Sequence, residues 1–378
     1  MVDGVRGNGA AKHNSDAPWP IGAMLDNIAS KADSIMKTFI IAEAGVNHNG
    51  DASLALKLVD TAAQCGADAV KFQTFTAEKL VRPGAEKAEY QKRETGEGDQ
   101  YTMLKALEMS VDLHHQLFDR CRELGIEFMS TPFDEQAAVF LRDLGMRYLK
   151  VPSGEITNLP FLEFLTRLDM PMILSTGMAD LKEVVTATEF IMDIRAQIEP
   201  RPCEAAMLTV LHCTSNYPAK NSDVNLRAMQ TIANTTGLPV GYSDHTLGLA
   251  VSTAAVALGA TVIEKHFTLD QNMAGPDHKA SLLPEEFAAL VVQIRAVEEA
   301  LGSPIKEPTA SELPVRALVR RSVTATRDVK TGAVLEPKDL TLLRPGTGIA
   351  PASLRSLEGR IASRDILAGS TLQWDDVV

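Results

Sequence analysis

Eight short apolar runs recur along the chain from residue 38 onward, and stretches with helical spacing of apolar residues separate them. This alternation is typical of parallel β-α-β units, whose strands are buried on both faces and therefore read as near-continuous apolar runs. The sequence therefore predicts eight parallel strands connected by helices. The runs are TFIIAEAG (38–45), ADAVKFQTF (67–75), IEFMSTP (126–132), RYLKVPSGE (147–155), PMILSTG (171–177), MLTVLHCTS (207–215), PVGYSDH (239–245) and TVIEKHF (261–267).

The segments between the runs are amphipathic. LHHQLFDRCRELG (113–125) places apolar side chains three to four residues apart and ends in glycine, as helices often do. Eight strand-helix units in about 265 residues match the size of a TIM (β/α)8 barrel. A doubly wound open sheet is the alternative. There is no GxGxxG motif after a strand and no P-loop, so the sequence does not support nucleotide binding.

A long polar insert follows the second strand, at about residues 76–111. Long loops after barrel strands tend to carry function. The insert is therefore predicted to be a lid over the barrel mouth or a plain solvated loop.

The C-terminal region repeats a short unit. RDVKTGAVLEPKDL (327–340) and RDILAGSTLQWDDV (364–377) share Arg-Asp, a glycine, a leucine and a late aspartate at the same spacing. The repeat predicts a small β domain of two related units, whose thin core needs a partner surface. The predicted segments are a disordered extension (1–35), the barrel (36–301), a linker (302–315) and the small domain (316–378).

Charge and composition exclude several classes of protein. The formal net charge of −12 disfavours nucleic acid and anionic membranes as partners. No apolar run is long enough for a membrane helix, and the N-terminal residues lack the apolar core of a secretory signal. Four widely separated cysteines suit a reduced compartment. A cytoplasmic protein is therefore expected.

Polar residues lie at the end of every predicted strand. The carboxyl ends of barrel strands face the active site, so a site is expected there. The residues are Glu43 with Asn47, His48 and Asn49; Lys71 and Gln73; Ser130 and Thr131; Lys150, Ser153 and Glu155; Ser175 and Thr176; His212 and Thr214; Ser243, Asp244 and His245; and Glu264, Lys265 and His266.

Lys71 and Lys150 each lie within an apolar strand. They are either lysines on the outside of the barrel that extend to solvent, or two inward ammonium groups that hold a dianion. In the second case, hydroxyls of Thr131, Ser153 and Ser243 would complete a cradle for phosphate and carboxylate groups.

His245 and His266 end the seventh and eighth strands, so their imidazoles could share one ion. A hydrogen-bonded structural role is the alternative. Because no cysteine accompanies them at motif spacing, Mn²⁺ or Mg²⁺ held partly by water is favoured over structural zinc. His212 and His48 are weaker candidates, which could orient their neighbours.

Glu43 and Glu155 are predicted to face the same pocket. Either could pair with a lysine, or could stabilise positive charge and activate water. No GxSxG nucleophile elbow is present, which disfavours covalent serine catalysis.

These residues lie in long motifs that resemble the sialic acid synthases, a family that includes N-acetylneuraminate and legionaminic acid synthases. The resemblance extends from about Met36 to the C-terminus. The tail, with RRSVTATRDVKTG and RPGTGI, resembles the antifreeze-like (SAF) domain of these enzymes. The barrel motifs are IAEAGVNHNGD, GADAVKFQTF, STPFDE, KVPSGEITNLP, ILSTGMA, HCTSNYP, GYSDHTLG, IEKHFTLD and GPDH.

The resemblance implies a TIM barrel followed by a SAF domain in a domain-swapped homodimer. It implies that Lys71 and Lys150 bind phosphoenolpyruvate, with Thr131, Ser153 and Ser243, and that His245 and His266 bind Mn²⁺, Mg²⁺ or Co²⁺. It implies that Glu43 handles the attacking water or the cationic intermediate, and that Arg344 of a partner contacts the N-acetyl group. Ser215 stands where some members carry asparagine. The residues implied around the sugar are Gln73, Glu155, Tyr217, Glu264 and Asp277.

The expected reaction joins phosphoenolpyruvate to an N-acetylated hexose and releases phosphate. N-acetylmannosamine, which gives N-acetylneuraminate, is the favoured acceptor. Alternatives are a 2,4-diacetamido-2,4,6-trideoxyhexose, which gives legionaminic or pseudaminic acid, or a non-catalytic sugar-binding protein.

Overall fold

All eight predicted barrel strands are present. The structure, a computed structural model, describes residues 37–198 and 207–378, so the predicted extension at 1–35 lies outside the described residues. Each strand begins and ends within or close to its predicted run. The strands are β1 Phe39–Gly45, β2 Ala69–Thr74, β3 Glu127–Pro132, β4 Leu149–Val151, β5 Met172–Ser175, β6 Leu208–Cys213, β7 Val240–Asp244 and β8 Val262–His266.

The strand order distinguishes a barrel from an open sheet. The strands pair in parallel in the order β3-β2-β1-β8-β7-β6-β5-β4, so the first strand pairs with the eighth. In a doubly wound sheet, the order of the strands would instead reverse at an internal strand. The sheet therefore forms a nearly closed TIM barrel, as predicted.

Helices connect the strands along the outside of the barrel. Two of them begin with a serine or aspartate cap and end at a glycine: Ser110 and Gly125 bound one helix, and Asp134 and Gly145, the latter with φ +107°, bound the next. The helices around the barrel are α1 Ala52–Gln64, α2 Ala77–Leu80, α3 Glu89–Thr95, α4 Gln100–Lys105, α5 Val111–Leu124, α6 Glu135–Leu144, α7 Leu159–Arg167, α8 Leu181–Gln197, α9 Arg227–Thr236, α10 Ala250–Ala257 and α11 Pro284–Leu301.

Strand β4 is much shorter than its predicted run of 147–155. It ends at Val151, because Pro152 has no N–H to donate to a neighbouring strand. A 3₁₀ turn, Ser153–Glu155, follows. This turn determines which side chains of the KVPSGE motif reach the barrel interior.

An apolar layer closes the lower part of the barrel interior. It places the charged side chains of the next layer above an apolar floor, at the carboxyl end of the strands. The buried residues of the layer are Ile41, Ala69, Met129, Ile173, Leu211 and Val262.

A second compact unit runs from Ser303 to Val378. The short strands β9 Ser322–Ala325 and β10 Leu340–Leu343 pair antiparallel, and single bridges such as Val329 with Ile366 connect the two sequence repeats. Helix α12, Glu312–Val319, crosses the predicted boundary at 315, and Pro314 lies in its first turn, where no N–H is required. Helix α13 is Leu354–Leu357.

Two further observations concern the part of the chain that the structure describes. No helix in it combines the length and apolar character needed to cross a bilayer. Its cysteines, Cys65, Cys121 and Cys213, are free thiols.

Candidate active site

A cavity of about 360 Å³ opens at the carboxyl ends of the barrel strands. Most of the residues predicted from the strand ends and from the resemblance line it, and residues of the insert after β2 complete one wall. The lining residues are Glu43, Lys71, Gln73, Ala88, Tyr90, Thr131, Phe133, Lys150, Pro152, Ser153, Gly154, Ser175, Met178, Cys213, Ser215, Tyr217, Ser243, His245, Glu264 and His266.

Lys71 and Lys150 point into this cavity and not to the outside of the barrel. Lys71 Nζ lies 2.6 Å from Glu43 Oε2 and 3.1 Å from Thr131 Oγ1, to which it donates a hydrogen bond. Both ammonium groups lie 3.5 Å from an oxygen of Glu264. Both lysines are buried and point inward, which is the alternative that an anion site requires.

The electrostatics of this layer favour an added anion. Burial opposes ionisation of Glu264, but Lys150 and Lys71 outweigh it and lower the pKa of Glu264 to about 2. Burial raises the pKa of Glu43 to about 7, although Lys71 lowers it in part. Near neutral pH the two ammonium groups therefore face one firmly ionised carboxylate and one that is partly protonated.

A group of small donors lies beside Lys150. The backbone N–H of Gly177 donates to Ser153 Oγ at 2.9 Å, and Ser153 Oγ lies 3.2 Å from Cys213 Sγ. A methyl group at Gly177 would overlap Ser215 Oγ, so only glycine fits. Ser175 Oγ is buried with no hydrogen-bond partner in the described residues. These hydroxyl and amide groups are suited to phosphate oxygens.

His245 and His266 lie with their ring centroids 5.5 Å apart. His245 Nδ1–H donates to Thr214 O at 2.7 Å, which leaves Nε2 as the lone-pair atom, and His266 Nδ1 is buried without a hydrogen-bond partner in the described chain. Burial lowers the pKa of both imidazoles, so both are neutral and able to ligate.

The residues present therefore fit a divalent ion bound by two histidines. No group of three or more potential ligands is arranged as a metal site within residues 37–198 and 207–378. Further ligands would have to come from water or substrate, as is usual for Mn²⁺ and Mg²⁺. Metal binding itself stays a prediction.

Two predicted sugar-site residues, Gln73 and Asp277, lie next to Glu43 at Gly45. A methyl group added to Gly45 would lie 3.2 Å from Glu43 Oε1, 3.5 Å from Gln73 Nε2 and 3.6 Å from Asp277 Oδ2. Its φ of +52° favours glycine independently. Burial raises the pKa of Asp277 to about 6. Glu43 and Gln73 line the cavity, and Asp277, which is not among the lining residues, lies directly beside them. These three residues, called the polar wall, carry groups that can hydrogen-bond hydroxyl and amide groups of a sugar.

An aromatic wall adjoins the histidines. The ring centroid of Tyr217 lies 4.1 Å from that of His245, and Tyr90 stacks on Tyr217 at 5.2 Å with an interplanar angle of 29°. Tyr90 belongs to the insert after β2, in which no site residue was predicted. The insert contains two tyrosines, Tyr90 and Tyr101, so its aromatic residues alone do not indicate which one reaches the cavity.

Asp244 and Lys265, named among the strand-end residues, point away from the cavity. Lys265 Nζ donates to Asp244 Oδ2 at 2.9 Å, and both side chains are fully buried. Ser252 Oγ donates to the same oxygen, and Thr246 N–H and Oγ1 donate to Asp244 Oδ1. The alternation of side chains along a strand explains this, since residues 243, 245, 264 and 266 line the cavity.

Four other strand-end candidates are also bound elsewhere. Ser130 Oγ lies 2.7 Å from Thr74 Oγ1, and His212 Nε2–H donates to Val224 O at 2.7 Å. His48 Nδ1 accepts from Gly50 N–H, and Thr214 Oγ1 donates to Asp223 O. None of the four is among the residues that line the cavity.

Glu155 requires a correction. It was predicted to face the same pocket as Glu43, but it is not among the cavity-lining residues. It lies in the 3₁₀ turn after β4, where its Oε2 accepts from Asn158 Nδ2 at 2.7 Å, because Pro152 ends the strand early and directs Ser153 inward instead. Arg344 belongs to the second compact unit. The contact of Arg344 with the sugar in a partner subunit stays a prediction, and so does the homodimer.

The fold is a TIM barrel, and its cavity, lined by buried lysines, carboxylates and imidazoles at the carboxyl ends of the strands, lies where TIM-barrel enzymes carry their active sites. Two family models match the chain: the NeuB family over residues 58–306 and the SAF domain over residues 320–378.

Known proteins agree with these matches. An N,N'-diacetyllegionaminic acid synthase of Legionella pneumophila is 54% identical over 91% of this chain and 96% of the relative. A synthase of the same name from Campylobacter jejuni is 46% identical over 87% of this chain and 97% of the relative. The crystal structure of an N-acetylneuraminic acid synthetase from Leptospira borgpetersenii superposes with a TM-score of 0.64 at 34% identity, over 75% of this chain and 91% of that one.

The chain belongs to the NeuB family and carries a C-terminal SAF domain. It is an enzyme, a synthase of sialic-type acids.

Proposed function

We propose that this enzyme joins phosphoenolpyruvate to 2,4-diacetamido-2,4,6-trideoxymannose and releases phosphate and N,N'-diacetyllegionaminic acid. The observation that carries the proposal is the convergence of Lys71, Lys150, Glu43 and the two histidines in one cavity of a NeuB-family barrel. Such a cavity has the charges for a phosphorylated carboxylate and the neutral imidazoles for a metal.

The choice of sugar departs from the expectation drawn from the sequence, which favoured N-acetylmannosamine. The chain is 54% and 46% identical to two N,N'-diacetyllegionaminic acid synthases, and 34% identical to the N-acetylneuraminic acid synthetase. These identities support the diacetamido sugar as acceptor and make N-acetylmannosamine the second candidate.

Phosphoenolpyruvate would lie between the two lysines. Lys71 and Lys150 would neutralise its phosphate and carboxylate, and the hydroxyls of Ser153, Ser175 and Ser243 would donate to its oxygens. Holding it fixed against the sugar turns a bimolecular reaction into a unimolecular one, which can contribute about 7–11 kcal/mol.

A divalent ion, with Mn²⁺ preferred, would be held by His245 and His266 and would supply Lewis-acid polarisation of the open-chain sugar's carbonyl. Gln73 and Asp277 would orient the sugar through hydrogen bonds from the polar wall. The aromatic ring of Tyr217 would close the other side and exclude water.

The bond changes follow from this placement. The methylene carbon of phosphoenolpyruvate forms a bond to the sugar's carbonyl carbon, whose oxygen takes up a proton and becomes a hydroxyl. Positive charge develops at C2, beside the carboxylate of Glu43. Water adds to C2 and gives its proton to Glu43, whose raised pKa suits a base near neutral pH. The C2–O bond to phosphate then breaks while the new C2 hydroxyl becomes a carbonyl, and phosphate leaves with the bonding electrons and takes up the hydroxyl proton. The proton that Glu43 receives from water balances the proton taken up by the sugar's oxygen.

Two measurements test the proposal. The first is phosphate release with phosphoenolpyruvate, Mn²⁺ and either the diacetamido sugar or N-acetylmannosamine; the diacetamido sugar should have the higher kcat/KM, and a higher value for N-acetylmannosamine would replace the proposed acceptor. The second is turnover in ¹⁸O-labelled water. Label should enter the sugar acid, and label in the phosphate would refute addition of water at C2.

A further inference from the structure

One ion pair joins the insert after β2 to the barrel, and hydrogen bonds within the insert hold its own segments together. Glu108 Oε1 accepts from the N–H of Ala77 at 2.7 Å, and Lys79 Nζ lies 3.3 Å from Asp134 Oδ1. The buried ammonium of Lys87 donates to the carbonyl of Gly96 at 3.1 Å, which joins the start of helix α3 to the residue after its end. These contacts place the first turn of α3 at the barrel mouth.

Tyr90 is the residue through which the insert reaches the cavity. It lies in that first turn, lines the cavity with Ala88 and stacks on Tyr217. Tyr217 in turn meets His266 edge-on at 5.6 Å and His245 at 4.1 Å. A continuous row of rings therefore extends from the predicted metal ligands to the insert.

The phenol of Tyr90 is uncharged. Burial, followed by the nearby carboxylate of Asp277, raises the pKa of Tyr90 above its ordinary value. Tyr90 therefore presents a neutral aromatic surface next to the polar wall of Gln73 and Asp277. Such a surface is suited to C–H groups and disfavours a hydroxyl that finds no partner on it.

We propose that Tyr90 is a specificity-determining residue that selects an acceptor sugar with apolar substituents. This assignment rests on the proposed function. The diacetamido sugar differs from N-acetylmannosamine at two positions, where a methyl group replaces a hydroxymethyl and an acetamido group replaces a hydroxyl. Both changes add methyl groups, and the Tyr90–Tyr217 wall is the apolar surface that can cover them.

The test compares two substitutions with a matched control. Tyr90→Ala removes the ring, Tyr90→Phe keeps it, and Tyr101→Ala removes a tyrosine of the same insert whose hydroxyl donates to Glu78 and which does not line the cavity. For each variant, kcat and KM are measured with both sugars, and KM is measured for phosphoenolpyruvate.

Tyr90→Ala is expected to lower kcat/KM for the diacetamido sugar by about 10-fold, mainly through KM, since an apolar group in a pocket is worth about 10- to 200-fold. In the same variant, KM for phosphoenolpyruvate and kcat/KM for N-acetylmannosamine should each change less than about 2-fold. Tyr90→Phe keeps the ring and should retain the wild-type ratio of the two kcat/KM values, and Tyr101→Ala should behave like the wild type.

Some outcomes would overturn the role of Tyr90 alone, and another would overturn the proposed function as well. If the wild type uses the diacetamido sugar and Tyr90→Ala leaves the ratio of the two kcat/KM values unchanged, Tyr90 does not determine specificity. A rise in KM for phosphoenolpyruvate that matches the rise for the sugar would indicate general loosening and would also overturn the assignment. A wild type that turns over only N-acetylmannosamine would overturn the proposed function and this assignment together.

Discussion

Buried carboxylates occur in both units of the molecule, but they are satisfied in different ways. In the second unit, Asp339 accepts from Arg327 Nε at 2.6 Å and from the N–H of Glu336 at 3.0 Å. The repeat reproduces this pattern, since Asp376 accepts from Arg364 and from the N–H of Gln373. Each aspartate is bound by its own repeat and faces no cavity among those described.

In the barrel, the buried carboxylates Glu43 and Glu264 share the ammonium groups of Lys71 and Lys150 at the wall of an open cavity. The pKa values of buried acids also differ between the units: burial raises that of Asp277 to about 6, whereas Arg327 outweighs burial at Asp339 and lowers the pKa. A buried carboxylate therefore indicates a binding site only when it and its ion-pair partners also line a cavity, as Glu43 and Glu264 do.

The largest effect is expected from Lys150→Met. This change removes one of two cations that would hold phosphoenolpyruvate and leaves Glu264 with weaker compensation. The value of kcat/KM for phosphoenolpyruvate should fall by about 100- to 1,000-fold, as for loss of a preorganised electrostatic group. Steady-state phosphate release measures it, with Lys57→Met on the exposed face of α1 as control. Unchanged kinetics would show that the cavity lysines are structural, like the charges of the second unit.

A smaller effect, on stability, is expected from Asp339→Ala. The change leaves the N–H of Glu336 and the guanidinium of Arg327 without their acceptor, so the unfolding free energy of the second unit should fall by about 1–2 kcal/mol, as for loss of a cap. Thermal unfolding measures it, with exposed Asp375→Ala as control. Phosphoenolpyruvate kinetics should stay unchanged; if they fell together with stability, the separation between the two kinds of carboxylate would be wrong.

The smallest effect concerns pH and Asp277. Its raised pKa of about 6 means that the carboxylate ionises as pH rises through this value and then accepts hydrogen bonds from the sugar. The sugar KM should fall about 3-fold between pH 5 and 7, the size of a modest hydrogen-bond gain. Asp277→Asn should remove this pH dependence and leave that of the phosphoenolpyruvate KM unaltered. A wild-type sugar KM that rises over this range would contradict the role.

The contributions of Asp277 and Asp339 to folding stability change in opposite directions with pH. A raised folded pKa favours the protonated form, so the contribution of Asp277 to stability is present below about pH 3.8 and is lost as pH rises through about 6. The lowered pKa of Asp339 works the other way, because its contribution is present above its unfolded pKa and is lost as pH falls.

The sequence was sufficient to predict the barrel and much of its cavity. Strand count and strand ends followed from apolar runs and from the rule that parallel strands end at one rim, whereas the inward direction of the two lysines was one of two alternatives. The two-residue period of a strand could also have separated His266 from Lys265 before the structure was known. The position of Glu155 was harder to predict, since it depends on the 3₁₀ turn after Pro152.

Tyr90 could not be assigned from the sequence because its position depends on long-range contacts. The insert's three helices are each shorter than eight residues, and contacts with Asp134 and within the insert orient them. Local sequence patterns do not encode how these short helices pack, so the sequence alone could not decide between a lid and a solvated loop.

The outward ion pair of Asp244 and Lys265 has a consequence for the histidines that follow each of these residues. The pair joins β7 to β8 behind the cavity, where the two residues are also register partners. The pair therefore helps to fix the spacing of the two imidazoles in the folded chain. For the predicted ion, such preorganisation would reduce the entropy lost on coordination, so a substitution in this buried pair would weaken metal affinity without removing a ligand.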